Sequence, residues 1–297
     1  MTGTGEAVPA PGPPGAEAGP GPELRVAVVG AGGRMGAEVC RAVSAAPDLR
    51  LVAAIDPAVA GAALDEVVGV GVANGEPGGL VVASDLEAIE AAGATVVVDF
   101  TGRDAARLTL AWCATRGVHV VVGTTGLDAV DLDGLGRSFP AAGGVGCVVA
   151  PNFAIGAVLM MRFAELAAPW FETAEIIELH HDAKRDAPSG TAMLTAERMG
   201  AARRAADAGE WGADPTRTEV VAGARGGLGP DGIRMHSVRL RGLVAHQEVL
   251  LGTAGQGLTI RHDSYDRTSF MPGVLVAVRA VSSHPGLTVG LDTLLGL

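Results

Sequence analysis

The sequence predicts an α/β protein whose N-terminal half is a parallel sheet covered by helices and whose second domain is α+β with a mixed or antiparallel sheet. Three observations predict it. The 297 residues are 48% apolar but only 3% aromatic, with 44 glycines, so the core is aliphatic and the strand–helix turns are tight. Up to Ala150, short apolar runs alternate with helical stretches, the pattern of βαβ units. Beyond Pro151-Asn152-Phe153, strand-like runs follow one another with little helix between the last of them.

Residues 1–23 are rich in Pro, Gly and Ala, with neither a basic nor an apolar block, which predicts a disordered tail rather than a signal peptide. Arg25–Gly30 is an apolar run that ends in glycine and reads as a buried parallel strand. A helix follows to about Ala46, then a strand from Leu49 to Ile55 that ends at Asp56. Further strands are expected at Thr95–Phe100, Val118–Val122 and Val145–Ala150, with helices at Leu86–Ala92, Arg103–Arg116 and Ala129–Arg137. One long helix, Ile155 to Trp170, leads into strands at Glu175–His180, Glu219–Ala222, Ile233–Arg241, Gln247–Gly252 and Thr259–His262. Gly273–Val281 reads as a helix and Leu287–Leu297 as a strand or short helix. The expected domains are residues 24–152 with 268–297, and residues 153–267.

The first chemical signal is Gly30-Ala31-Gly32-Gly33-Arg34-Met35-Gly36, which follows the first strand and opens a helix. Glycines there let backbone amides approach a pyrophosphate at the helix N-terminus, and Asp56 at the end of the next strand is placed to accept from a ribose. This is a Rossmann dinucleotide-binding arrangement, although its GxxGxxG spacing is displaced from the usual GxGxxG. A tight turn in a doubly wound fold that binds nothing or binds a mononucleotide, with Asp56 a turn residue before Pro57, is the plainer alternative. Gly123-Thr124-Thr125 and Ala150-Pro151-Asn152-Phe153 fall where parallel strands end at their C-terminal edge, the ligand edge of such sheets, and so are expected beside the nicotinamide.

The second signal is Glu178-Leu179-His180-His181-Asp182-Ala183-Lys184, followed by Pro188-Ser189-Gly190-Thr191. Lys and Arg total 22, and Lys184 is the only lysine, which points to a task that a guanidinium cannot perform. His180 is a candidate proton donor near neutral pH, with Lys184 as cationic donor. Ser189 or Thr191 caps a new helix, and the amides of Gly190 and Thr191 suit a carboxylate. A positive pocket on a chain of net charge −11 calls for a small dianion. Metal ligation by His180 and His181 is disfavoured, because neighbours on a strand face opposite ways and no Cys or carboxylate stands at ligand spacing with both. No metal is expected.

The acidic charge argues against a nucleic-acid partner, and no apolar run suits a membrane span. Cys40, Cys113 and Cys147 stand apart in apolar stretches and read as buried thiols in a reducing, cytoplasmic setting.

At these motifs the chain resembles the 4-hydroxy-tetrahydrodipicolinate reductase family, also called dihydrodipicolinate reductases. The resemblance rests on GAGGRMG at 30–36, VDFT at 98–101, GTTG at 123–126, APNFAIG at 150–156, ELHHDAKRDAPSGTA at 178–192 and VRLRGLVAHQEVLLG at 238–252. It implies reduction by NADH or NADPH of a dianionic cyclic substrate, giving tetrahydrodipicolinate and water in the diaminopimelate and lysine pathway. It implies His180 as catalytic proton donor and acceptor, Lys184 as proton donor, His181 as substrate ligand and Gly190-Thr191 as carboxylate site. Gly30 to Met35, Asp56, Gly123 to Thr125 and Ala150 to Phe153 match the cofactor contacts. The family's homotetramer is expected by analogy. Pro57 stands where some members carry an Arg for the 2′-phosphate, which leaves the choice of cofactor open. Two other readings are a Rossmann oxidoreductase acting on another small dicarboxylate or a semialdehyde through a cysteine, and a dinucleotide sensor without catalysis.

Overall fold

The computed structural model describes residues 23–69, 79–124 and 126–297. The expected N-terminal tail, except Glu23, and Thr125 of the second loop lie outside the described residues.

The first sheet is parallel throughout, because each strand is followed by a helix that carries the chain back across a sheet face. Its elements run β1 (Leu24–Val29), α1 (Arg34–Ala45), β2 (Leu49–Ile55), α2 (Leu64–Val68), α3 (Glu87–Ala91), β3 (Val96–Asp99), α4 (Arg103–Arg116), β4 (His119–Val122), α5 (Ala129–Ser138) and β5 (Gly146–Val149). The strand order is β2-β1-β3-β4-β5, and a late strand, β11 (Gly286–Val289), pairs parallel with β5. The strands are buried on both faces: Val26 and Val28 join one apolar cluster with Val39, Val43, Val274 and Val278, while Ala27 and Val29 join another with Leu110 and Cys113. The order switches direction between β1 and β3, and in such sheets the C-terminal ends of the strands at that switch point are the ligand edge.

The second sheet follows α6 (Ile155–Ala167), which ends where Pro169 has no amide to continue it and a 3-10 turn, Ala168–Trp170, takes over. Then come β6 (Thr173–His180), α7 (Gly190–Ala205), β7 (Gly227–Leu228), β8 (Arg234–Arg239), β9 (Ala245–Thr253) and β10 (Gln256–Ser264). The order is β10-β9-β6-β8-β7, with β6 and β8 parallel and the other pairs antiparallel, so the sheet is mixed. Helices α6 and α7 cover one face through Ala164, Ala196 and Met199 against Ile176, Val249 and Leu251. Finally α8 (Met271–Ala280) packs back on the α1 side of the first sheet, and α9 (Asp292–Leu295) follows β11.

Two expectations need correction. Glu219–Ala222 is not a strand: Val220 is 95% exposed, and the Glu219 carboxylate accepts the Gly223 amide at 3.0 Å, which bends the chain into a turn. The edge position belongs to Gly227–Leu228, paired with β8. The segment Leu287–Leu297 holds both a strand end and a short helix, separated by Gly290 at φ 83°.

Candidate active site

The glycine loop is a tight turn built by its own backbone. Gly30 takes φ 84°, its amide donates to the Ile55 carbonyl at 2.8 Å, and the Gly33 amide returns to the Gly30 carbonyl at 3.0 Å. A Cβ on Gly36 would stand 2.0 Å from that same carbonyl oxygen, so the glycine lets α1 approach the loop. Ala31 is buried beneath, Gly32, Gly33 and Arg34 are exposed, and Met35 lines the neighbouring cleft. Asp56 sits against the loop: its Oδ2 accepts the Gly32 amide at 2.9 Å and its Oδ1 the Ala58 amide at 3.0 Å. It is therefore both a cap for the turn that begins at Pro57 and a carboxylate at the rim of the loop. The short glycine turn, the amides at the start of α1 and this carboxylate fit a dinucleotide's pyrophosphate and ribose.

The loops after β3, β4 and β5 follow the same C-terminal edge of the sheet. Asp99, fully buried, ends the apolar strand β3 and holds two loops at once. Its Oδ1 accepts from the Thr101 amide at 2.9 Å, the Thr101 hydroxyl at 2.6 Å and the Thr124 hydroxyl at 3.2 Å. Its signal in the sequence is an acid closing the otherwise apolar run Val96-Val97-Val98. The Phe100 ring lies 5.6 Å from that of Phe153, and a Cβ on Gly123 would strike Phe100 at 2.1 Å. Ala150 and Phe153 are buried footings of their loop, whereas Pro151, Asn152 and Thr124 reach the cleft.

That cleft, of about 740 Å³, lies between the two sheets and gathers the second set of candidates. Four of the seven histidines line it (His180, His181, His246 and His262) together with Lys184 and Arg267, and Asp186 is the one carboxylate among its described lining residues. Lys184 and Arg267 against the single Asp186 leave its lining with a net positive charge on an acidic chain. The two adjacent histidines do not face apart as strand neighbours would: β6 ends at His180, and His181 begins the turn that follows. His180 Nδ1 lies 2.5 Å from Glu178 Oε2. Glu178 is fully buried, and burial pushes its carboxyl up, but bonds from His180, Arg239 and Ser237 outweigh that and hold it down at about 2. Arg239 grips both carboxylate oxygens, at 2.9 and 2.8 Å.

Lys184 is placed by its amide's bond to the His181 carbonyl, and its Nζ pairs with both oxygens of Asp186 at 2.9 Å. That bond lowers the Asp186 carboxyl. Ser189 is the cap of α7, accepting the Ala192 amide at 3.2 Å, so the Gly190 and Thr191 amides head the first turn without intrahelical acceptors. The Thr191 hydroxyl also accepts from Asn152 Nδ2 at 3.2 Å. Sequence reasoning missed Glu178, Asp186, Arg239 and His246; the buried His246 Nδ1 lies 2.7 Å from Asp263 Oδ1. Glu178 was detectable, since a residue two before His180 on a strand shares its face. The three cysteines are buried and free, with burial pushing the Cys40 and Cys113 thiols up to about 12 and the Cys147 thiol up as well, so none is a nucleophile beside the cleft. Among the described residues no cluster of three or more His, Cys, Asp or Glu is arranged for a metal, and no helix is long and apolar enough to cross a membrane.

With this geometry in place, comparison with known proteins is specific. The family described as "Dihydrodipicolinate reductase, N-terminus" matches residues 24–153, and "Dihydrodipicolinate reductase, C-terminus" matches 156–295. The chain is 50% identical over 274 residues to the 4-hydroxy-tetrahydrodipicolinate reductase of Cutibacterium acnes, covering 92% of this chain and 99% of that protein. The enzyme of the same name from Nocardia farcinica is also 50% identical, over the same shares. Among solved structures, the dipicolinate-bound dihydrodipicolinate reductase from Paenisporosarcina sp. TG-14 superposes with a TM-score of 0.76 at 39% identity, covering 91% of this chain and 98% of that one.

Proposed function

The chain belongs to the dihydrodipicolinate reductase family, and from that premise we propose how its own residues share the work of the reaction. The protein is a reductase that converts 4-hydroxy-tetrahydrodipicolinate to tetrahydrodipicolinate and water, using a nicotinamide dinucleotide. The observation that carries the assignment of roles is the cleft itself, where the only lysine and four histidines converge beside the N-terminus of α7.

Gly30 to Met35 and Asp56 hold the cofactor's pyrophosphate and adenosine ribose, while Gly123 to Thr125 and Ala150 to Phe153 frame its nicotinamide. When bound, the reduced nicotinamide supplies a hydride. The balance of the reaction is one hydride and one proton in, and the substrate hydroxyl out as water. His180, whose Nδ1 is engaged by Glu178, has Nε2 left to hold and deliver that proton. Lys184 supplies a cationic N–H donor at the same cleft. The Gly190 and Thr191 amides bind one substrate carboxylate, helped by the dipole of α7, and His181 binds the substrate beside them. The Pro57 position offers no cation for a 2′-phosphate, so NADH is proposed to serve at least as well as NADPH.

This reading assigns residues 24–152 and 268–297 to the dinucleotide, and 153–267 to substrate binding and oligomerisation. It proposes a cytoplasmic homotetramer with no nucleic-acid partner. The test is direct: purified protein, NADH or NADPH, and the cyclised condensation product of aspartate semialdehyde and pyruvate made in situ, followed at the cofactor's absorbance. Oxidation of the cofactor that depends on the cyclic substrate supports the reading, and none above the blank rejects it.

A further inference from the structure

We propose that Glu178 and Arg239 are positioning residues that fix the His180 imidazole with its proton on Nδ1, and that Arg239 also anchors the loop bearing Lys184. The inference rests on the assignment of His180 and Lys184 as the groups that act on substrate, and it adds what makes them act.

The geometry is a short relay. Glu178 and His180 lie two apart on β6 and share one face, so a carboxylate reaches the ring without any distortion of the strand. β8 runs parallel to β6 with Ser237 opposite Glu178 and Arg239 opposite His180. From that register the Arg239 side chain turns back to Glu178 and forks across both oxygens, Nη1 to Oε2 at 2.9 Å and Nη2 to Oε1 at 2.8 Å. The third contact is to the loop: Nη2 also donates to the Asp186 carbonyl at 2.6 Å, and the Asp186 carboxylate holds the Lys184 ammonium. One guanidinium thus touches the group behind His180 and the residue behind Lys184.

The chemistry follows from the charge of Glu178. Fully buried and held well below the usual carboxylate range, it is an acceptor at any working pH and cannot donate to the ring. The ring nitrogen facing it must therefore carry hydrogen, which fixes the neutral tautomer as Nδ1–H and leaves Nε2 free to take up a proton from solvent and pass it to substrate, the carboxylate stabilising the imidazolium in between. Arg239 keeps that carboxylate from being an isolated buried charge, and its two-pronged grip fixes the direction in which the oxygens point. A guanidinium serving only the packing of the sheet needs neither the Asp186 carbonyl nor a carboxylate shared with a cleft histidine.

The experiment uses the full-length enzyme. Glu178→Gln keeps the shape but offers an amide that can donate to Nδ1, so kcat is expected to fall by roughly 10²–10⁴-fold, the range of a well-placed acid–base. KM and the NADH dissociation constant are expected within about threefold of the parent, because the loss lies in the chemical step. In a His180→Gln background the same change is expected to cost nothing further, since it acts through the missing ring. Independently of turnover, long-range proton–nitrogen spectra of ring-labelled histidine should show His180 as Nδ1–H in the parent and a shift toward Nε2–H in Glu178→Gln. If Glu178→Gln does not fold, the pair Glu178→Gln with Arg239→Met removes both charges together and carries the same expectations. Arg239→Lys, which keeps charge but loses the fork, should fall between parent and Glu178→Gln. A folded Glu178 variant with kcat within about threefold of the parent, an undiminished loss in the His180→Gln background, or an Nε2–H ring in the parent overturns the proposal. Parental turnover of His180→Gln itself would instead remove the assignment beneath it, so the two failures are distinct.

Discussion

Asn152 Nδ2 donates a 3.2 Å hydrogen bond to Thr191 Oγ1, tying the loop after β5 to the first turn of α7. The proposed cofactor side and the proposed carboxylate side of the cleft therefore meet through a side-chain bond at the first turn of α7.

That contact separates two substitutions at the proposed anion site. Thr191→Ala removes the bond to Asn152 but keeps the Thr191 amide, so a small rise in KM is expected. Gly190→Val places a side chain where a Cβ meets no protein atom within 4 Å, so the fold tolerates it and only a ligand feels it. Its KM should rise strongly with little change in melting temperature. Equal, parental substrate binding in both variants would show that the helix N-terminus is not the carboxylate site.

The cofactor prediction turns on Asp56. Its carboxylate is fixed at the rim of the glycine loop by the Gly32 amide, and the next residue is Pro57, so positions 56 and 57 present negative charge and no cation to a 2′-phosphate. NADH should serve at least as well as NADPH in kcat/KM, and Asp56→Asn should move the ratio toward NADPH. Arg34, exposed in the same loop, is the cation that opposes this expectation. A parental preference for NADPH above roughly tenfold, about 1.4 kcal/mol of transition-state binding, contradicts it.

Acid stability reads Glu178 separately from catalysis. Its carboxyl is lowered from 4.5 to about 2 in the folded chain, so its stabilising contribution is complete above about 4.5 and disappears as the pH falls toward about 2. The parent should therefore exceed Glu178→Gln in melting temperature near neutrality, and the gap should close across that acid window. Melting curves that stay a constant distance apart down to the acid end would mean that the buried carboxylate is not the titrating group.

Much of this was legible in the sequence for physical reasons. Parallel strands buried on both faces write continuous apolar runs such as Val26-Ala27-Val28-Val29, and the only lysine stood out against 21 arginines with no structure needed. The partners of the site residues were not legible, because they come from distant strands. Arg239 reaches Glu178 across 61 positions, and only the parallel pairing of β6 with β8 brings them together. Val220-Val221 read as a strand because apolar pairs usually seek burial, yet both are exposed beside a turn closed by Glu219 and Gly223. Asp99 escaped notice because its work is with Thr101 and Thr124, local loop contacts with no periodic signature.

The central claim is that His180 and Lys184 act in the chemical step. A hydride added to the ring must be matched by a proton, and a side chain in that role typically contributes ~10²–10⁴-fold. The decisive measurement is the steady-state kcat of His180→Gln, Lys184→Ala and Lys184→Arg, each alongside an NADH fluorescence titration. The first two should lose turnover by that order with cofactor binding near the parental value. Lys184→Arg keeps the charge but changes reach and acidity, so delivery of a proton predicts a large loss there too, and pure electrostatics a mild one. Near-parental turnover in both His180→Gln and Lys184→Ala would contradict the account.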